Sequence, residues 1–191
     1  MFLPLLALQQ KKITFKEFVA FWFSLNIPSN KDHYYTDRID KDQFTTGDIG
    51  KLFAWKNGME INGHYTKRAS VINMQKKILH INHLKEGFEL EYFTTHFGEI
   101  GAIWQIFLLH IIAPHIYPIF DQHVYRACQF LKSRQISEIP KKKVAILEYY
   151  HNEYHPFFKD ACKQFKQPRK VDLALKSFGT FLKTHYAKKA L

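Results

Sequence analysis

The sequence of 191 residues predicts an all-α protein. Apolar residues recur at three- and four-residue intervals along most of the chain, and Thr-x-x-acid pairs mark helix starts. No run of alternating apolar and polar residues predicts a strand. Apolar residues make up 46% and aromatic residues 16% of the chain, which is typical of a globular protein with a core rich in Phe and Tyr. The length suits one core or two small lobes that share a cleft, and we expect a single folded unit.

Three helices are expected in the first half of the chain. The first begins at the capping-box pattern of Thr14 and Glu17 and stops before Pro28. Thr45 and Asp48 mark the second start, and a glycine C-cap marks its end. The expected spans are 14–25, 45–58 and about 65–84. The polar segment 28–43 between the first two is expected to be a long loop or a frayed helix.

A short segment over 90–97 leads into a strongly apolar run, residues 100–120. Gln105, His110 and His115 in this run would be costly in lipid. Pro114 limits the continuous helix to about a dozen residues, whereas a membrane span needs about 20. The run therefore predicts a central core helix, and we expect no membrane partner.

The helical pattern resumes beyond Asp121. Pro140 is expected to open a further helix, and Pro156 is expected to bend or end it. The last helix has an apolar face and a basic face. The apolar face contains Val171, Leu175, Phe178 and Leu182, and the residues available to the basic face are Arg169, Lys170, Lys176 and Lys183.

Lys and Arg outnumber Asp and Glu by 28 to 17, which gives a formal charge of +11. Such an excess favours nucleic acid or another anionic surface through attraction and counterion release. A basic protein without a nucleic-acid partner is the alternative. Cys128 and Cys162 are too few for a four-thiolate cluster or a disulfide framework and favour a cytoplasmic location. The opening MFLPLLALQQKK lacks the flanking features of a signal peptide.

Two stretches carry the candidate chemistry, FGEIG at 97–101 and FDQHVYRA at 120–127. A turn with Gly101 before a helix leaves backbone amides to hold a phosphate. Asp121 is placed to cap the helix that carries His123 and Arg126. Amides at a helix start keep a carboxylate ionised, which suits a group that supports developing positive charge or orients a water. On the residues alone, a plain turn and a plain cap remain the alternatives.

These stretches resemble the helix-hairpin-helix base-excision DNA glycosylases, the family typified by endonuclease III. That family has a hairpin of the form L-P-G-V/I-G, an apolar helix, and then V-D-x-H-V-x-R-V, in which the Asp is catalytic. The resemblance implies two helical lobes with a cleft between them, a central lobe over about 45–120 and a second lobe over 1–30 plus 121–191. It implies that Asp121 supports cleavage of the N-glycosidic bond of a damaged or mispaired base, without a metal or other cofactor. The resemblance also implies double-stranded DNA as the partner. We expect a monomer.

The resemblance and the local patterns suggest roles for further residues. The candidate DNA contacts are Gly98, Ile100, Gly101, Ala102, Lys56 and Arg126. The candidate base-pocket residues are Trp55, Trp104, His123 and Tyr125, for which plain core packing is the alternative. Ile103 stands where family members with lyase activity carry a Schiff-base lysine, so we expect a monofunctional enzyme.

Two other functions stay open. Glu99 at a glycine position of the hairpin, together with Ile103, motivates a catalytically silent nucleic-acid-binding or scaffold protein on the same fold. Glu148, His151 and His155 are spaced to share one helix face, which motivates a helical metalloenzyme. A dimetal bundle requires a second Glu-x-x-His, which the sequence lacks, and we expect no metal site.

Overall fold

The structure is a computed structural model that describes residues 13–58 and 65–184, without the side chains of residues 65–67. Every regular element in this part of the chain is helical and no strand occurs in it, which confirms the all-α class. In chain order the helices are α1 (Phe15–Ser24), α2 (Asp32–Thr36), α3 (Thr46–Asn57), α4 (Tyr65–Lys76), α5 (Ile78–Glu86), α6 (Leu90–Phe97), α7 (Ala102–Ile112), α8 (Gln122–Ser133), α9 (Lys143–Tyr149), a π-helical turn (Tyr150–Tyr154), α10 (His155–Gln164) and α11 (Pro168–Leu182).

The predicted helix caps of the first half are confirmed. The Thr14 hydroxyl accepts from the Glu17 amide at 3.2 Å, and the Glu17 carboxylate accepts from the Thr14 amide at 2.8 Å. Thr45 and Asp48 form the same reciprocal pair at the start of α3. Helix α3 ends at Gly58, whose φ of 75° lies in the left-handed region that glycine adopts at little steric cost.

The prediction of one helix over about 65–84 is wrong, because the chain forms α4 and α5 with a break at Lys77. The Lys77 amide donates to the Met74 carbonyl in a tight turn, and Lys77 has a ψ of 21°. Its ammonium group donates to the carbonyl of His96 in α6. The apolar spacing continues through the break, so the local sequence does not indicate it.

Pro140 and Pro156 act differently from the prediction. Helix α9 begins at Lys143 instead of Pro140, and no side chain caps it. It continues through the π-helical turn into α10, where Pro156 lies in the first turn. Proline donates no backbone hydrogen bond, and it is tolerated there because it directly follows the π-helical turn, where the regular hydrogen-bond pattern of the α-helix is already interrupted. The chain therefore stays helical on both sides of Pro156.

The chain divides into two compact units, which we call the terminal unit (1–27 and 118–191) and the central unit (28–117). In the terminal unit, α11 packs against α1 and α8. The ring of Phe178 in α11 lies 4.9 Å from Trp22, 5.2 Å from Phe18 and 5.6 Å from Phe130. Residues 31–44, which the sequence-based division left between its lobes, belong to the central unit.

Helix α7 forms the middle of the central unit. Its residues from Gln105 to Ile112 are all buried, so the apolar run is explained by burial on every side. The predicted core helix is confirmed, and it is 11 residues long. Among the helices of residues 13–58 and 65–184, none combines the length and the apolar character that a membrane span needs.

His110 of α7 is held in a buried hydrogen-bond chain. Its Nδ1 lies 2.7 Å from the Tyr117 carbonyl, and its Nε2 lies 2.8 Å from the Tyr35 hydroxyl. Because a carbonyl only accepts, Nδ1 carries the proton and Nε2 accepts from Tyr35. This satisfies the polar groups that His110 brings into an apolar core.

Candidate functional site around Asp121

Asp121 is the N-cap of α8. Its backbone is extended, and its Oδ1 accepts from the amides of His123 at 2.8 Å and Val124 at 3.0 Å. The side chain is partly exposed, whereas residues 117–120 before it are all buried. The predicted capping position is therefore confirmed, and the carboxylate lies where a buried segment reaches the surface. Two amide donors and the helix dipole favour its ionised form.

The backbone that leads into Asp121 is fixed by two tyrosines of the π-helical turn. The Tyr150 hydroxyl donates to the Pro118 carbonyl at 3.0 Å, and the Tyr154 hydroxyl donates to the Ile119 carbonyl at 3.1 Å. Both tyrosines are fully buried. Unusual π-helical turns often occur at functional sites, and this one supports the segment that carries the candidate carboxylate.

His123 lies on the first turn of α8, close to α11. Its Nδ1 is 3.3 Å from the Thr180 hydroxyl and 3.5 Å from the Arg126 guanidinium, which only donates. Burial lowers the pKa of His123; the Asp121 carboxylate opposes this effect, and the Arg126 charge adds to it. The lowered pKa favours the neutral imidazole, in which Nδ1 is an acceptor towards Arg126.

Arg126 was predicted to contact DNA, and the structure places it inside the terminal unit instead. Its exposed fraction is 0%. One guanidinium nitrogen donates to the Gly179 carbonyl at 2.9 Å, and the other donates to the Glu138 carboxylate at 3.0 and 3.2 Å. A guanidinium enclosed in this way joins α8, α11 and the segment before α9, and it presents no surface to a phosphate.

Gly179 allows α11 to approach α8 very closely. A Cβ atom built on Gly179 would lie 1.8 Å from the carbonyl oxygen of His123 and 2.5 Å from its carbonyl carbon. Only a residue without a side chain fits at this crossing. The same approach brings Thr180 of α11 beside His123 of α8.

The aromatic base-pocket candidates other than His123 lie in packed surroundings. In the terminal unit, Tyr125 is 6% exposed and its ring lies 4.6 Å from Tyr149. In the central unit, the Trp104 ring lies 5.1 Å from Phe53 and is partly exposed. These contacts are those of core residues, which was the alternative interpretation of both.

The Trp55 side chain is partly exposed in the central unit. Its indole stacks on Tyr35 with ring centres 4.4 Å apart, and its Nε1 donates to Asp32 at 2.9 Å. Lys56, the neighbouring candidate for a phosphate contact, has its ammonium 5.8 Å from the centre of the Phe107 ring. One face of the indole is thus already covered by Tyr35.

The turn of residues 98–101 joins α6 to α7 as the sequence predicted. The candidate phosphate contacts in or next to it are Gly98, Ile100, Gly101 and Ala102. No side chain caps α7, and the amides of Trp104 and Gln105 donate to the Gly101 carbonyl. Glu99 is exposed in this turn, so a carboxylate stands on the surface that would meet a phosphate.

The charge excess belongs entirely to the terminal unit. In the sequence this unit has 18 Lys and Arg against 7 Asp and Glu, and the central unit has 10 against 10. The formal charge of +11 is therefore carried by the unit that contains Asp121, whereas the unit that contains the predicted hairpin is neutral. Net charge alone therefore favours the terminal unit over the central unit as the surface for a polyanion.

The described residues contain no group of three or more His, Cys, Asp or Glu side chains arranged to hold a metal. His151 and His155, the proposed pair one turn apart, flank the junction of the π-helical turn and α10, and the His155 ring is parallel to that of Tyr150. The metalloenzyme alternative gains no support from this arrangement.

Sequence reasoning did not find Thr180, Glu138 or Gly179. A glycine beside Phe178 on the apolar face of a predicted helix is a usable sign of close helix packing. Nothing local relates Glu138 to Arg126 or Thr180 to His123, because these pairs are 12 and 57 residues apart and meet only in the folded unit.

A pH test follows from three histidines whose pKa burial lowers, His80, His123 and His151. As pH falls through the ordinary value of about 6.5, the unfolded chain takes up protons before the folded chain does, so stability is lost. We expect a lower urea midpoint at pH 5.5 than at pH 7.5. In His123→Gln the difference should shrink. Equal urea midpoints at the two pH values would contradict the lowered histidine pKa values.

Comparisons with protein-family models, with curated proteins and with solved structures found no match.

Proposed function

We propose that the chain binds double-stranded DNA and cleaves the N-glycosidic bond of a damaged or mispaired base, with Asp121 as the essential carboxylate. The observation that carries the proposal is the position of Asp121: a partly exposed carboxylate, held by two amides, in the unit that has the whole positive charge excess. The resemblance of FDQHVYRA to the catalytic stretch of the helix-hairpin-helix glycosylases supports the choice of reaction.

The chemistry follows from the charge on Asp121. Loss of the base leaves an oxocarbenium-like sugar, and a fixed carboxylate beside it lowers the barrier by electrostatic stabilisation. The cap holds Oδ1 in place, so the carboxylate needs little reorganisation as the positive charge develops. The lowered pKa of His123 disfavours a positive charge on the imidazole two residues after Asp121. Within the proposal the base is first flipped out of the duplex.

Asp121→Asn tests the proposal. The amide oxygen keeps a capping acceptor, so α8 and DNA binding should persist, but the lost charge should slow base release about 100-fold or more. Duplexes that carry uracil, hypoxanthine, an alkylated purine or an oxidised purine would be incubated with protein and then treated with alkali. Strand cleavage should require the alkali, because Ile103 supplies no amine for lyase chemistry. Asp160→Asn, in the same unit and exposed, is the control and should be silent. Equal rates of base release in the wild type and in Asp121→Asn would show that Asp121 acts only as a helix cap.

A catalytically silent DNA-binding protein is the second candidate. It is favoured by the exposed Glu99 in the turn before α7 and by the burial of Arg126, the arginine of the family pattern. The same panel separates the two functions. A protein that binds these duplexes and releases no base from any of them is the silent one.

A further inference from the structure

We propose that an exposed stripe on α11, formed by Lys176, Thr180 and Lys183, is the surface that holds the DNA backbone beside Asp121. The inference rests on the proposed DNA binding and deepens it. It moves the main phosphate contact from the turn of residues 98–101 in the central unit to a helix of the terminal unit.

Lys176 and Thr180 lie on one face of α11, and Lys183, the C-cap that follows it with helical backbone angles, continues their row. They are spaced four and three residues apart, which places them in a row along a helix, and all three are exposed. The opposite face of α11 is the buried one, with Val171, Leu175 and Phe178 in the core. Neither lysine lies within salt-bridge distance of a carboxylate in the described part of the chain. Two ammonium groups are therefore available to a polyanion.

The stripe lies beside the candidate carboxylate. The Thr180 hydroxyl is 3.3 Å from Nδ1 of His123, which is two residues after Asp121. The crossing at Gly179 fixes this neighbourhood, because it holds α11 directly against the backbone of His123. The charge of Lys183 also reaches the imidazole and contributes to the lowered pKa of His123.

The spacing suits a nucleic-acid backbone. Seven residues of α-helix span about 10 Å. Phosphates of one DNA strand follow each other at about 3.4 Å along the axis, so the two ammonium groups span roughly three nucleotides. A carboxylate that approaches a sugar lies between phosphates that repel it, and cations beside it offset that repulsion. The turn of residues 98–101 offers no such cation and presents Glu99.

The test compares two double variants with the same loss of charge. Lys176→Gln/Lys183→Gln removes the stripe, and Lys141→Gln/Lys142→Gln removes two exposed lysines elsewhere in the terminal unit. Binding of an undamaged fluorescent duplex would be measured from 50 to 200 mM salt. Each lost phosphate contact lowers the magnitude of the slope of log K against log salt by about 1, so this slope should be smaller by about 2 in the stripe variant. The control should lose less than half of that. Circular dichroism melts verify that both variants fold.

The outcomes separate this inference from the function on which it rests. Suppose that the wild type binds the duplex, but that the salt slope falls equally in both double variants or only in the control. The stripe is then wrong, whereas DNA binding stands. If the wild type binds no duplex at all, the proposed function fails and the stripe with it. Tighter binding to single-stranded RNA or to anionic vesicles than to the duplex, measured alongside, would overturn DNA as the occupant.

Discussion

Replacing Gly179 by Ala should cost about 3 kcal/mol of stability, at the upper end of the range for overpacked cores. Helix propensity alone predicts that the change stabilises the protein, because Ala is favoured over Gly by about 1 kcal/mol inside a helix. The steric cost outweighs the gain in helix propensity, because the added methyl would lie 1.8 Å from the carbonyl oxygen of His123. A backbone atom cannot rotate away as a side chain can, so α11 must move off α8. Urea unfolding followed by circular dichroism measures the loss.

Gly47→Ala is the matched control. Gly47 also lies in a helix, and a Cβ there meets only the Thr45 hydroxyl at an ordinary 3.6 Å. This change should be neutral or stabilising by up to about 1 kcal/mol. If both variants are equally stable, α8 and α11 are not as close as described. The proximity of Thr180 to His123 would then lose its basis.

Arg126→Leu should destabilise the protein by about 2 kcal/mol, because a buried carbonyl is left without its hydrogen bond, whereas the ion-pair partner Glu138 is 70% exposed and stays solvated. The Gly179 carbonyl loses its donor, and three connected segments lose their common contact. Arg134→Leu, at the end of the same helix and exposed, should change stability by less than about 0.5 kcal/mol. The measurement is again the urea midpoint.

DNA binding by Arg126→Leu distinguishes the buried role from the predicted one. At a temperature where the variant is folded, the dependence of duplex affinity on salt should match that of the wild type. A phosphate contact would instead lower the slope by about 1. A variant of normal stability with a lower slope would restore Arg126 to the DNA interface.

Three helix starts, those of α1, α3 and α8, were predictable because their determinants are local. Thr14 with Glu17, Thr45 with Asp48, and Asp121 ahead of α8 each satisfy amides within three residues, so a short window of sequence contains the whole interaction. The burial of α7 was equally accessible, because its residues are apolar on every side. The same reasoning could not choose between capping and catalysis for Asp121, since both use the same position.

The errors arose where distant residues decide the local structure. The break at Lys77 accompanies a contact with His96, and a periodic pattern carries no trace of it. The burial of Arg126 depends on Glu138 and on the carbonyl that Gly179 presents across a helix crossing. An arginine in a family-like pattern predicts a phosphate contact until the packing around it is known. The prediction for Pro156 was wrong for a related reason, because the π-helical turn before it places the proline in the first turn of α10.

The three tryptophans of the chain give each unit its own optical signal. Trp22 packs against Phe178 in the terminal unit, whereas Trp55 and Trp104 belong to the central unit. Because the indoles lie in separate cores, a chain with Phe at position 22 emits from the central unit alone. A chain with Phe at positions 55 and 104 emits from the terminal unit alone. Fluorescence of these two chains therefore assigns any loss of structure, or any quenching by a bound duplex, to one half of the molecule.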